Sequence, residues 1–182
     1  YYFISDYEKL VQGMHAVFDI LHTQRHKMTV VSPRKQAGEH IHAKYNASDF
    51  SEITQQWGHH QLDAIGLFLH IVADLNSKHI EVRRDASDNE ILQLLVIYLM
   101  SVRYWEQPDF GMWEEEAVLH SSSIGAVIDG LIRCRERQLA VIPEELIQLG
   151  RQTLNRILPA ESFPHTCDKN HSVEVDMAQL SL

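Results

Sequence analysis

Apolar residues recur at helical spacing along most of the chain, and polar connectors separate the apolar stretches. Five helices are predicted from this spacing, over the segments Leu10 to Leu21, Leu62 to Leu75, Ile91 to Val102, Ile124 to Leu131 and Pro143 to Leu158. A sixth helix is expected near Val173, and Thr29 to Ser32 is compatible with a short strand. The pattern therefore predicts an all-α fold.

Capping residues mark where several of these helices are expected to begin. Ser5 or Asp6 precedes the first helix, and the sequence Ser87-Asp88-Asn89-Glu90 has the form of a capping box before the third. Ser121 to Ser123 are expected to cap the fourth helix. Pro143 is expected in the first turn of the fifth, where its missing N–H is tolerated.

The second predicted helix is apolar on two faces, since Ala64, Leu67 and Ile71 lie away from its main stripe. This pattern predicts burial on both sides. Five or six helices of this kind do not close a ring by themselves. Residues 1–182 are therefore expected to form one part of a larger helical domain.

Short connections make successive helices antiparallel neighbours, so the connectors before the second and fourth helices should emerge at the same end. These connectors are residues 56–63 and residues 108–116, and they hold the least ordinary sequence in the chain, with a tryptophan and at least one carboxylate in each. A shared site at one rim of the helical assembly is therefore expected from topology.

Composition narrows the classes of partner. The formal net charge is −9 and no basic block is longer than Arg83-Arg84, which argues against nucleic acid or an anionic membrane as a partner. No apolar run approaches the roughly 20 residues of a membrane span. The two cysteines, Cys134 and Cys167, are too few for a disulfide framework and favour a reduced, cytoplasmic setting. Neutral polymers such as polysaccharides remain open as a class of ligand.

The segment Trp113-Glu114-Glu115-Glu116 is the strongest candidate for chemistry. Hydrolysis of an acetal needs one carboxylic acid to protonate the leaving oxygen and a second carboxylate across the sugar. Trp113 can provide an apolar wall and Glu115 and Glu116 a negative potential, and both would keep the Glu114 carboxyl protonated. The alternative is an acidic loop that leads into a helix, where glutamates are favoured for electrostatic reasons alone.

Trp57 and Asp63 form the second candidate. An indole face stacks on a sugar ring, and a carboxylate can accept hydrogen bonds from two hydroxyl groups. The alternative for Asp63 is stabilisation of the helix dipole, because it falls in the first turn of the second helix.

Histidines occur in two pairs, His40 with His42 and His59 with His60, but no HExxH motif or ligand spacing accompanies them. No metal and no organic cofactor is predicted. Other histidines of the first helix, among them His22, are expected at the surface.

Several motifs resemble the amino-terminal region of the phosphorylase kinase alpha and beta subunits. The matching segments are His42-Ala43-Lys44-Tyr45-Asn46, Gln56-Trp57-Gly58-His59, Gln61-Leu62-Asp63-Ala64, Asp109-Phe110-Gly111, Trp113-Glu114, Ser122-Ser123-Ile124-Gly125, Leu154-Asn155 and Ile157-Leu158-Pro159. Those subunits are grouped with the glucoamylase-like family 15 glycoside hydrolases. The resemblance implies part of an (α/α)6 toroid, with substrate in a funnel at the rim where the inner helices begin.

The resemblance also implies roles for individual residues. Glu114 matches the general acid of the hydrolases and Glu115 a substrate contact, with Trp113 beside them. Trp57 and Asp63 match residues that hold the terminal glucose. Two departures matter: an arginine that contacts sugar in the hydrolases is replaced by Leu62, and the general base of the family would lie beyond Leu182. The chain alone is therefore expected to be inactive.

Two functions follow from these features. The first is an inverting α-glucan hydrolase of glucoamylase type, which the acidic Glu115 favours because the kinase subunits usually have an arginine-like residue at that position. The second is a regulatory or carbohydrate-binding module without turnover, which Leu62 favours and which would also bind proteins. In both cases the expected ligand is an α-glucan or maltooligosaccharide.

Overall fold

The computed structural model describes residues 6–29, 38–55, 59–112 and 116–163. Its elements in chain order are α1 (Tyr7–Thr23), α2 (Arg25–Thr29), α3 (Leu62–Ser77), α4 (Ala86–Ser101), β1 (Leu119–His120), α5 (Ser121–Glu136), α6 (Glu144–Ile157) and β2 (Ser162–Phe163). Within these ranges the regular secondary structure is helical apart from one antiparallel pair of two-residue strands and two isolated bridges. The predicted all-α class is confirmed, and it fits part of an (α/α)6 toroid.

The five predicted helices are all present, as α1, α3, α4, α5 and α6. Asp6 is the N-cap of α1, where its carboxylate accepts a hydrogen bond from the Lys9 N–H at 3.2 Å. The stripes pack into one core whose largest fully buried side chains include Tyr98, Tyr104 and Phe18. The sixth helix predicted near Val173 and residues 30–32 of the predicted strand lie outside the described ranges. Thr29, the first residue of that predicted strand, is the last residue of helix α2.

The beginnings of three helices differ from prediction. Helix α4 begins at Ala86 and its N-cap is Asp85, so the expected capping box lies inside the first turn. Asp88 is fully buried there and binds Arg84, and His22 bonds to it at 2.9 Å instead of lying free at the surface. The bond between His22 and Asp88 joins residues that are 66 positions apart and leaves no local sequence signal.

Helices α5 and α6 also begin differently. His120 is the N-cap of α5, without a capping side-chain bond, and Ser121 to Ser123 form its first turn with their hydroxyls turned to buried carboxylates. Pro143 is the N-cap of α6, one position before the predicted first turn.

Among the described helices, α3 and α5 share the most extensive contact, and glycine permits their close approach. A Cβ atom on Gly66 would lie 2.5 Å from the backbone N of Val127, and one on Gly130 would lie 2.5 Å from the Gly66 carbonyl oxygen. The two backbones therefore touch at this crossing. Both helices begin at the rim that holds the two connectors, so the crossing fixes where their first turns lie.

Burial of α3 is one-sided in the described structure. Leu62, Ile65, Leu69 and Val72 are buried, whereas Leu67 is 53% exposed. The prediction of burial on two sides is wrong at Leu67, because no described element packs on that face. Among the described residues, no helix combines the length and apolar character needed to cross a bilayer.

Candidate functional site at the connector rim

The two connectors meet at the rim, as the topology predicts. The Phe110 N–H donates to the His60 carbonyl at 3.0 Å, and the Gln61 side-chain amide donates to the Gly111 carbonyl at 3.1 Å. The Leu62 N–H donates to the Asp109 carboxylate at 2.8 Å. These three bonds join the described parts of the connectors around the start of α3.

Asp63 lies in the first turn of α3, as predicted, and is half-buried. Its charge acts on the Asp109 carboxyl nearby. The other predicted site residues, Trp57, Trp113, Glu114 and Glu115, lie outside the described residues. Their roles therefore stay predictions, and the same holds for the sugar contact of Asp63.

Leu62, at the position where the resemblance implies a lost arginine, is 1% exposed. Its side chain is part of the core and only its backbone N–H faces the connector. The side chain at position 62 therefore does not reach the surface of the rim, where a sugar would bind.

Asp109 is a buried carboxylate that sequence reasoning did not single out. It is 1% exposed and accepts bonds from the Leu62 N–H and from the Ser123 hydroxyl, each at 2.8 Å. Burial raises the pKa of its carboxyl to about 7, and the negative charge of Asp63 acts in the same direction. One carboxylate thus joins the first turns of α3 and α5, and it titrates near neutral pH.

Glu161 is the second unpredicted carboxylate. It lies just after the end of α6. Its carboxylate accepts hydrogen bonds from the hydroxyls of Ser121, at 2.7 Å, and Ser122. Burial opposes its ionisation, but His120, 3.7 Å away, and the two hydroxyls outweigh burial and lower the pKa of its carboxyl. Glu161 is far from Ser121 and Ser122 in the sequence. The three residues come together only because the chain returns to the start of α5 after α6 ends.

His120 faces both carboxylates. Burial opposes protonation of its ring, but Glu161 and Asp109 outweigh it, so the pKa of His120 is raised. Its Nε2 lies 3.3 Å from the Glu116 carbonyl oxygen. A Cβ on Gly111 would lie 2.9 Å from the ring, and Gly111 has a φ of 58° that favours glycine. His120 therefore contacts the residues on both sides of 113–115.

His40 and His42 stack on the two connector histidines, His60 and His59. The rings of His40 and His60 lie 3.8 Å apart, and those of His42 and His59 lie 4.1 Å apart. Within the described ranges, no group of three or more histidine, cysteine or carboxylate side chains is arranged to hold a metal ion.

Comparison with known proteins agrees with this arrangement. The family model described as glycosyl hydrolases family 15 matches residues 2–155. Among individual proteins, the phosphorylase b kinase regulatory subunit alpha of rabbit (Oryctolagus cuniculus) is 25% identical over 194 residues in its skeletal muscle isoform, covering 96% of this chain and 15% of the relative.

Two further relatives bear similar names. The liver isoform from rabbit is 28% identical over 163 residues, covering 85% of this chain and 13% of the relative. The "Probable phosphorylase b kinase regulatory subunit alpha" of Caenorhabditis elegans is 26% identical over 181 residues, covering 87% of this chain and 14% of the relative. The chain thus spans 15% or less of the length of these three relatives.

The match of the family model over residues 2–155, together with a helical fold whose two motif-bearing connectors meet at one rim, leads to one conclusion: the chain belongs to glycosyl hydrolases family 15.

Proposed function

We propose that this chain is a glucan-binding regulatory module built on the fold of a family 15 hydrolase. The observation that carries the proposal is the burial of Leu62, because a position that should grip sugar in the hydrolases is part of the core. The names of the relatives, regulatory subunits of a phosphorylase kinase, support the same reading.

In this proposal Asp63 holds glucosyl hydroxyls and the indoles of Trp57 and Trp113 stack on the ring. Glu114 and Glu115 would contact the same sugar. The complete protein would act in the cytoplasm, within an assembly that contains a protein kinase, and binding of glucan at the connector rim would influence that assembly.

The second candidate is the inverting hydrolase, and the intact sequence Trp113-Glu114-Glu115 favours it. Glu114 would protonate the glycosidic oxygen while a carboxylate from outside this chain activates water. In inverting enzymes the two carboxyl groups stand roughly 6.5–9.5 Å apart, which leaves room for that water.

Calorimetry with acarbose, combined with NMR of maltotriose digests, separates the two candidates. A regulatory module binds acarbose and releases no glucose, and binding is lost in Asp63→Asn. Asp74→Asn, the same change three turns along α3, is the matched control and should bind normally. Release of glucose that disappears in Glu114→Gln would establish the hydrolase instead. Absence of any binding by the intact protein would refute both candidates.

A further inference from the structure

Two stacked pairs of histidines join residues 38–45 to residues 59–60 of the connector before α3. Each pair takes one ring from either segment, His40 with His60 and His42 with His59. The ring centroids lie 3.8 Å and 4.1 Å apart in these pairs, with interplanar angles of 27° and 29°. The Ala43 N–H also donates to the His59 carbonyl at 3.0 Å. Four aromatic rings and a backbone hydrogen bond therefore hold the two segments together.

His42 is bonded in a way that only a neutral ring allows. Its Nδ1 accepts a hydrogen bond from the Lys44 N–H at 3.1 Å, so the proton of the ring lies on Nε2. A protonated ring carries hydrogen on both nitrogens, and its Nδ1–H would then face the N–H of Lys44. His42 is 8% exposed, and its Nε2 makes no hydrogen bond with any described residue. Protonation in place would therefore oppose two donors and leave a buried charge without an acceptor.

The charged and titratable groups that face His42 lie on several parts of the chain. They are His59 on the connector, Tyr45 on the same segment, Glu52 further along the chain, and Lys27 on α2. Burial, and then the neighbouring His59, lower the pKa of His42, while Glu52 acts in the opposite direction. Lys27 lies 2.5 Å from Glu52, and its charge offsets that of the carboxylate. Burial raises the pKa of Tyr45 and keeps its hydroxyl neutral. These surroundings favour the uncharged imidazole.

The pair of His40 and His60 is anchored to α4. The Ile41 N–H donates to the Tyr98 hydroxyl at 3.1 Å, and Nδ1 of His40 lies 3.3 Å from the same oxygen. His60 is 7% exposed, so a charge on its ring would be poorly solvated. Two imidazolium rings at the separations of these stacks repel strongly when bulk water is excluded. Neither stack therefore holds once both of its rings are protonated.

We propose that residues 38–45 form a proton-operated latch, which is closed on the connector while the stacked imidazoles are neutral and opens when they are protonated. An imidazole in water titrates at a pH of about 6.5. The closed latch binds fewer protons than the open one, so closure is favoured above that pH and is lost as the pH falls through it. Opening moves residues 38–45 away from the rim where the two connectors meet. The latch operates without a ligand and does not depend on the proposed function.

Asp109 at the same rim responds to pH with the opposite sign. Burial raises the pKa of its carboxyl, so the folded state is favoured by protonation and weakened as the pH rises. Falling pH therefore loosens the latch but not the joint that Asp109 makes between α3 and α5. A local measurement over residues 38–45 separates the two responses.

Hydrogen exchange of the intact, ligand-free protein between about pH 7.5 and about pH 5.5 tests the latch. The Ala43 amide is the reporter because its N–H is bonded to the His59 carbonyl. After correction for the intrinsic exchange rate, its open fraction should rise about tenfold for each histidine that is neutral in the closed latch. The Val102 amide, bonded to the Tyr98 carbonyl at the end of α4, should show no such rise. An unchanged open fraction at Ala43, or an equal rise at Val102, would overturn the latch.

His42→Phe/His59→Phe keeps two flat rings in the stack and removes their ability to take a proton. The rise at Ala43 should then be about tenfold smaller than in the wild type. His15→Phe, which changes a half-buried histidine of α1 outside both segments, is the matched control and should leave the wild-type rise unchanged. An undiminished rise in the double variant would refute the latch. Because the wild-type comparison uses no variant, it decides the question even where the double variant does not fold.

Discussion

The glycine crossing of α3 and α5 yields a quantitative prediction. In Gly130→Ala, the new methyl group would lie 2.5 Å from the Gly66 carbonyl oxygen and 3.0 Å from Leu69 Cβ. An ordinary contact needs the two helices to part by about 1 Å, and overpacking of this kind costs about 1–3 kcal/mol. Alanine recovers about 1 kcal/mol through its higher helix propensity. Because the Gly66 carbonyl oxygen belongs to the backbone and cannot rotate away, the upper part of the overpacking cost, about 2–3 kcal/mol, applies, and the free energy of unfolding should fall by about 1–2 kcal/mol in total.

Gly13→Ala is the matched control, since Gly13 lies in α1 and a Cβ there meets nothing within 4 Å. It should raise the free energy of unfolding by about 0.4–1 kcal/mol. Hydrogen exchange followed by mass spectrometry in the intact protein measures the two effects locally. Amides of α3 and α5 should exchange about tenfold faster in Gly130→Ala, which corresponds to about 1.4 kcal/mol.

The same reasoning applies to Gly66→Ala, whose methyl group would lie 2.5 Å from the backbone N of Val127. Because the obstructing atoms belong to the backbone, no rotamer change relieves the contact. The result that would refute the reasoning is slower hydrogen exchange in α3 and α5 after either substitution, comparable to the slowing that Gly13→Ala produces in α1. It would mean that the two helices can separate without cost. The crossing would then not set the position of the rim.

The two buried carboxylates give the remaining predictions. Because the pKa of Asp109 is raised from 3.8 to about 7, the folded state binds the extra proton, and stability should fall as the pH rises from about 4 to 7, by at most about 4 kcal/mol. Asp109→Asn should flatten this dependence in urea denaturation, and an unchanged slope would contradict the assignment. Glu161→Gln removes the charged acceptor of two serine hydroxyls and should destabilise the first turn of α5 by about 1–3 kcal/mol. Hydrogen exchange there should be unaffected by the control Glu136→Gln, at an exposed position of the same helix, and equal exchange in both variants would refute the role of Glu161.

Local sequence patterns predicted the helices well because helix formation depends on spacing within a few turns. The apolar stripe from Leu62 to Leu75 and the cap at Asp6 are both local signals, and both are present in the structure. Alternation of helix direction was enough to predict that residues 59–63 and 108–111 would meet.

Contacts between distant segments escaped prediction. Ser121 to Ser123 were expected to cap α5 because hydroxyls before a helix usually do so, yet they bind Asp109 and Glu161. The 39-residue separation between Ser122 and Glu161 leaves no periodic trace in the sequence. Burial of Leu62, by contrast, follows from its place in the apolar stripe of α3.

The bond between Leu62 and Asp109 limits what can replace the leucine at position 62. Because the contact uses a backbone N–H, the leucine side chain is not needed for it and packs in the core instead. A guanidinium in the same place would bury a charge among apolar side chains, which is strongly unfavourable. An arginine at position 62 could therefore reach the rim only if the neighbouring core side chains were replaced as well.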